Sequence, residues 1–206
     1  MLKIYLVRHG QNEDNAEGIL NGHRDRPLTQ KGVEQAQEVA EKIKESKISF
    51  SHILSSPLVR ARKTADIIAE KIGFTGEVEI EPLLIERDFG TMTGVEQKRI
   101  EELCAPNIIK TDTIIYFLSP EGAETFLDLL ARAKKFFSSL QDRFHEGNIL
   151  LVSHGDLGKM LYAAYYDLPW EKVLTGFHFG NSELLLMSKD SSPEGTHVFR
   201  IEQHNH

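Results

Sequence analysis

The amino-acid sequence predicts an α/β protein of three layers, a mostly parallel central sheet between two layers of helices. Three observations carry that expectation. Short β-rich apolar runs alternate along the 206 residues with stretches whose apolar residues recur every three or four positions, as strand–helix–strand units produce. Two of the runs, Leu2 to Val7 and Ile149 to Val152, are almost wholly apolar and read as buried strands. No linker-like stretch and no internal repeat divides the chain, so one domain over residues 1–206 is expected, with a cap insertion at about 90–120.

The first run, Leu2 to Val7, stops at Arg8, His9 and Gly10. A polar loop with Gly18, Gly22 and Pro27 follows, and Thr29 then stands at an N-cap position before Val33, Ala36, Ala40 and Ile43 at helical spacing. Phe50 to Leu54 predicts a second strand. Ser55, Ser56 and Pro57 supply an N-cap and first-turn proline for a helix whose apolar side is Leu58, Ala61, Ala65, Ile68 and Ile72. Val78 to Ile80 predicts a short third strand. From Glu86 to about Gly122 the pattern is irregular, with one helix at Glu96 to Cys104. Pro120, Glu121 and Gly122 introduce a longer helix bearing Phe126, Leu129, Leu130, Ala133, Phe137 and Leu140 on one face. Ile149 to Val152 is the next strand, ending at Ser153, His154 and Gly155 before a helix through Leu157, Met160, Leu161 and Ala164. Strands at Glu183 to Met187 and Val198 to Ile201 complete the pattern.

Twenty-four basic residues against 31 acidic give a net charge of −7. Nucleic acid is disfavoured as a partner, because binding its backbone needs clustered Lys and Arg. A small anion remains open, since arginines and histidines can converge on a positive pocket inside an acidic protein. The apolar runs fall far short of the roughly 20 residues that span a bilayer, so no membrane partner is expected. The N-terminus lacks signal-peptide form and the single Cys104 cannot form an internal disulfide, which together point to the cytoplasm.

Two strand patterns distant in sequence each end in histidine followed by glycine: Arg8, His9, Gly10 and Ser153, His154, Gly155. In open parallel sheets ligands bind beyond the carboxyl ends of the strands, so both imidazoles emerge at one edge. Taken singly, either histidine reads better as a hydrogen-bonded structural residue than as a functional one. As a pair they fit a metal or an anion. The neighbours favour the anion, because Arg8 adjoins the first histidine and Arg60 stands in the first turn of the second helix, where amides and dipole attract negative charge. Guanidinium forks match phosphate oxygens. The other reading of Arg60 is a solvated surface arginine.

Through these residues the sequence resembles the histidine phosphatase superfamily, which includes cofactor-dependent phosphoglycerate mutases and many metabolite phosphatases. Arg8, His9 and Gly10, with Asn15 downstream, look like its opening motif, continued by Asn21, Gly22, Asp25, Pro27, Leu28, Thr29 and Gly32. Ser56, Pro57, Leu58, Arg60, Ala61, Thr64 and Ala65 resemble the second, and Glu86, Arg87, Phe89, Gly90 and Gly94 the third. Val152, Ser153, His154 and Gly155 resemble the fourth. The resemblance implies a phosphoglycerate mutase-like fold and phosphomonoester hydrolysis without metal or cofactor. It implies that a neutral His9 attacks phosphorus and that Arg8, Arg60, Asn15 and a protonated His154 hold the phosphoryl oxygens. Glu86 is implied as proton donor to the leaving alkoxide, its other reading being a surface glutamate. Asn21, Gly22 and Gly155 are implied as further substrate-binding positions.

Three positions depart from the family pattern. Asn12 replaces a small hydroxyl residue and puts one substrate contact in doubt; Asp156 adds a carboxylate near the phosphate pocket; Glu183 replaces a small polar residue. His23 reads as a solvated loop residue or a substrate contact, and His204 and His206 as a fraying terminus or a fold back over the site. Mutases of the family carry a longer, more basic insertion, whereas Gly90 to Gly122 holds only Lys98, Arg99 and Lys110, which favours hydrolysis over mutase transfer. A catalytically silent module that binds phosphorylated ligands is the third reading. The expected partners are a small phosphorylated metabolite and phosphate. The substrate and the assembly, a homodimer included, are left open.

Overall fold

The computed structural model describes residues 1–200. In chain order they form β1 (Leu2–Arg8), α1 (Glu13–Glu17), α2 (Gln30–Glu45), β2 (His52–Ser55), α3 (Val59–Ile72) and β3 (Val78–Ile80). Next come α4 (Ile100–Cys104), β4 (Ile108–Lys110), β5 (Ile115–Phe117), α5 (Phe126–Arg143), β6 (Gly147–Ser153), α6 (Gly155–Tyr166), α7 (Trp170–Gly176), β7 (Leu184–Met187) and β8 (His197–Phe199). The central sheet has the order β3-β2-β6-β1-β7-β8. Its first four strands are parallel, β7 runs antiparallel to β1, and β8 antiparallel to β7. The mostly parallel α/β expectation therefore holds, with an antiparallel edge.

Strand pleating builds the layers. Ile4 and Leu6 of β1 face a core shared with Phe126, Leu129 and Phe136 of α5 and Leu157 and Met160 of α6. Tyr5 and Val7 face the other way, onto Val39 and Ile43 of α2 and Ala61, Ala65 and Ile68 of α3. Covered on both sides, β1 and β6 need apolar residues at every position, which is why they read as unbroken runs. Thr29 caps α2 as its position predicts, accepting from the Gly32 amide (3.1 Å).

The polar loop contains α1, whose five residues are too few to show a periodic face; Asn12 and Asn15 build a capping box at its start. Helix α3 begins at Val59, two residues after Pro57, with no side-chain cap on Leu58. Thr125 and Asp128 form the capping box of α5, while Pro120 to Gly122 belong to the preceding turn. The helix expected over 96–104 is divided into a 3-10 turn, Gln97–Arg99, and α4. After α4 the chain makes the two-stranded hairpin β4–β5, whose three-residue strands leave too short a pattern to read. Helix α7 was not expected. Strand β8 ends at Phe199, and Ile201, His204 and His206 lie outside the described residues. The hairpin packs with α4 and the segments around Leu20 and Phe89 in a small core of Leu20, Phe89, Met92, Ile100 and Phe117. No helix among the described residues is long and apolar enough to cross a membrane.

The turn after β1 lies against the first turn of α2 with no room for a side chain. A Cβ on Gly32 would sit 1.9 Å from the Gln11 carbonyl oxygen, and one on Gly10 would sit 2.2 Å from the Gly32 oxygen. Both obstacles are backbone. Gly32→Ala is expected to cost roughly 1–3 kcal/mol, the scale of overpacking a rigid contact. A denaturation midpoint equal to that of the unsubstituted protein would contradict it.

Candidate active site

Because β1 and β6 are hydrogen-bonded neighbours, with Arg8 opposite Ser153, the residues that follow them meet at the sheet's carboxyl edge. The His9 amide donates to the Ser153 carbonyl (3.0 Å), and the two imidazoles lie 5.1 Å apart, centroid to centroid. Both are buried. His9 Nδ1 lies 2.6 Å from the Gly10 carbonyl. A carbonyl only accepts, so Nδ1 carries the proton and Nε2 keeps a free electron pair. Burial, followed by the charges of Arg60 and Arg8, holds His9 well below its ordinary pKa of 6.5.

Arg60 is fully buried and delivers three donors. Its Nε donates to His9 Nε2 (3.2 Å), Nη1 to the Arg24 carbonyl (2.7 Å) and Nη2 to the Gly22 carbonyl (3.0 Å). Burial draws its pKa down to about 10, still leaving it charged at neutral pH. Gly22 thus serves Arg60 through its carbonyl, in a left-handed conformation (φ +49°) that favours glycine. The end of α3 is not an open anion site as the sequence implies: the Val59 amide donates to Asp25 Oδ1 (2.6 Å), so a carboxylate of the chain already occupies it.

Arg8 Nη1 donates to the Phe179 carbonyl (3.0 Å), while its buried Nε makes no hydrogen bond among the described residues. His154 Nε2 lies 2.7 Å from Ser56 Oγ, and its buried Nδ1 is likewise unpartnered. Burial, then Arg60, His9 and Arg8, hold His154 well below 6.5. Burial first, and then the neighbouring guanidiniums, thus work against the protonated form that the resemblance implies.

Glu86 sits at the start of α6, buried, accepting from the amides of Arg87 (2.8 Å), Leu157 (3.0 Å) and Asp156 (3.3 Å). Burial and then the Asp156 charge raise its pKa above the usual 4.5, outweighing the amides of Arg87 and Leu157 and the charge of Arg60. Its carbonyl accepts from His23 Nε2 (2.8 Å) and Arg132 Nη2 (3.2 Å). His23 thus braces the segment that carries Glu86.

Asn12 is buried and pairs with Asn21 through both amides (2.6 and 3.3 Å) while capping α1, which accounts for its departure from a small hydroxyl residue. Asn15 and Asn21 line a cavity of about 320 Å³ with Arg8, His9, Arg60 and Glu86. Gly155 and Asp156 line it too; Gly22 and His154 are not among its lining residues. Asp156 pairs with Arg87 Nε (2.9 Å), whose guanidinium lies 4.2 Å from the Phe117 and Phe126 ring centroids. The added carboxylate is thereby neutralised by a buried cation. Glu183 is buried away from that wall. Although burial raises a carboxyl's pKa, His197 and the Gly180 amide prevail and hold Glu183 below 4.5.

Lys159 and Tyr116 are among the lining residues that sequence reasoning left without a role, and Arg87 was read only as part of the third motif. Lys159 had a readable signal, a lone lysine one turn after Asp156 in an otherwise apolar helical stretch. Tyr116 had none, because the hairpin that brings it was not legible.

Residues 4–193 match the model of the histidine phosphatase superfamily (branch 1). The chain is 31% identical over 174 residues to the 2,3-bisphosphoglycerate-dependent phosphoglycerate mutase of Nitrobacter hamburgensis, covering 83% of this chain and 84% of that one. Among solved structures it is similar to the mycobacterial glucosyl-3-phosphoglycerate phosphatase in complex with VO3, with a TM-score of 0.77 and 27% identity over 90% of this chain and 92% of that one. It is also similar to the phosphoserine phosphatase of Entamoeba histolytica in complex with 3-phosphoglyceric acid, with a TM-score of 0.72 and 27% identity over 99% of each chain. A buried pair of histidines at the ends of two adjacent parallel strands, set among arginines, is thus accompanied by likeness along nearly the whole chain, and the protein belongs to branch 1 of the histidine phosphatase superfamily.

Proposed function

We propose that the protein hydrolyses the phosphomonoester of a small metabolite through a phosphohistidine at His9. The observation that carries this is the state of His9, buried and neutral, with Nδ1 committed to Gly10 and Nε2 presented to the cavity's cations. In the first step Nε2 forms a bond to phosphorus as the ester P–O bond breaks, and the alkoxide takes the Glu86 proton. In the second, water attacks phosphorus, Glu86 takes its proton, the N–P bond breaks and phosphate leaves. Arg8 and Arg60 spread positive charge over the phosphoryl oxygens as the Arg60 Nε–H passes from His9 to an oxygen. Asn15 adds a donor at the same wall. A phosphoryl anion between the rings also draws His154 toward its charged form, restoring the role implied by the family.

The relative named as a mutase supports a second reading, in which another hydroxyl replaces water as acceptor. The segment at 90–120, proposed as the cap, favours hydrolysis, because its three basic side chains are paired to neighbouring acids: Lys98 with Glu96, Arg99 with Glu102, and Lys110 with Glu101. A silent binding module has no use for a buried carboxyl of raised pKa beside the phosphate pocket. The test is phosphate release from p-nitrophenyl phosphate and a panel of metabolite phosphates in the presence of a chelator, alongside transfer between the two hydroxyls of phosphoglycerate. Release exceeding transfer is expected. Transfer without release would favour the mutase reading, and neither would favour the binding module.

A further inference from the structure

Lys159 lies four residues beyond Gly155 on α6, about 6 Å along the helix axis. It is only 5% exposed, yet it lines the cavity that holds His9, Arg8 and Glu86. Its Nζ donates to the Tyr116 hydroxyl on β5 and forms no ion pair among the described residues, because Asp156 is engaged by Arg87. A buried ammonium whose hydrogen-bond partner among the described residues is a phenol is expensive to maintain, even with the charges of Asp156 and Glu86 favouring it, and its neighbours Leu157, Met160 and Leu161 are apolar. Phosphoryl transfer as derived above uses neither Lys159 nor Tyr116.

We propose that Lys159 and Tyr116 form a subsite for a carboxylate on the substrate's own carbon skeleton, so that the protein selects phosphomonoesters of small acids; this rests on the phosphatase reading. Two donors side by side match the two oxygens of one carboxylate, since Tyr116 accepts from Lys159 and keeps its own O–H to give. Burial raises the Tyr116 pKa, which keeps that proton in place, and draws Lys159 down to about 8, which still leaves it charged at neutral pH. The subsite joins the sheet's α6 to the β4–β5 hairpin.

The test compares 3-phosphoglycerate and phosphoserine, which carry the carboxylate, with glycerol 3-phosphate and phosphoethanolamine, which lack it. Lys159→Met is expected to lower the ratio of kcat/KM for the first pair over the second at least about tenfold, mainly through KM. Tyr116→Phe should lower it by a smaller factor. Binding of 3-phosphoglycerate and glycerol 3-phosphate to His9→Ala protein, with and without Lys159→Met, reads the same preference without turnover. An unchanged ratio would overturn the subsite, as would equal losses on both pairs together with a lower Tm, the mark of a purely structural lysine. Should the unsubstituted protein release phosphate from none of the esters, the hydrolase reading falls while the binding arm still decides the subsite.

Discussion

His9→Ala is expected to cut phosphate release by at least about 10³-fold, the scale on which loss of a covalent nucleophile registers. The substitution removes the imidazole whose Nε2 offers an electron pair to the phosphate pocket at neutral pH. It leaves the cations in place: Arg60 keeps the Gly22 and Arg24 carbonyls, and Arg8 keeps Phe179. Phosphate affinity should therefore change far less than turnover. Incubation with labelled ester followed by quenching in alkali, where N–P bonds survive, should label the unsubstituted protein and not the variant. Label retained by the variant, or a rate within tenfold of the original, would place the nucleophile elsewhere. Because His9 is held neutral well below 6.5, acidifying toward pH 6 should not silence it as it would an exposed imidazole.

Glu86→Gln should reduce turnover of alkyl phosphates by about 10²–10⁴-fold, the range for a lost general acid, and that of p-nitrophenyl phosphate much less, because p-nitrophenolate departs without a proton. The sign of the pH dependence follows from the direction of the shift. Burial and Asp156 raise the Glu86 pKa, so the protonated donor persists above 4.5 and is lost as pH rises further. The alkaline limb of kcat for alkyl esters should consequently be missing in the variant. Folding responds to pH in the same sense. A carboxyl whose folded pKa is raised stabilises below its unfolded pKa and loses that contribution as pH rises, so a neutral glutamine at pH 7 should keep or raise Tm. Equal losses on both ester types would remove Glu86 from the acid role.

The site was legible to different depths along the chain. His9 and His154 could be paired from sequence because each follows a run that only a strand covered on both faces can afford, and such strands deliver their ends to one edge. Arg60 was visible by position, but its partners Gly22 and Arg24 belong to a loop without periodicity, and Asp25 at the end of α3 displaced the anion expected there. Asn12 looked like a lost substrate contact until α1, too short to read, made it a cap bonded to Asn21.

What sequence alone determined was the alternation of elements and the identity of the cations and imidazoles, since apolar period and residue chemistry are local properties. Tertiary structure decided the protonation of those groups and the second wall of the cavity. Burial and then the neighbouring guanidiniums hold His9 and His154 well below the ordinary imidazole range, and Glu86 is raised because folding buries it beside Asp156. Tyr116 meets Lys159 only because the β4–β5 hairpin lies over α6. Desolvation and charge proximity are sums over residues distant in sequence, so no local pattern encodes them.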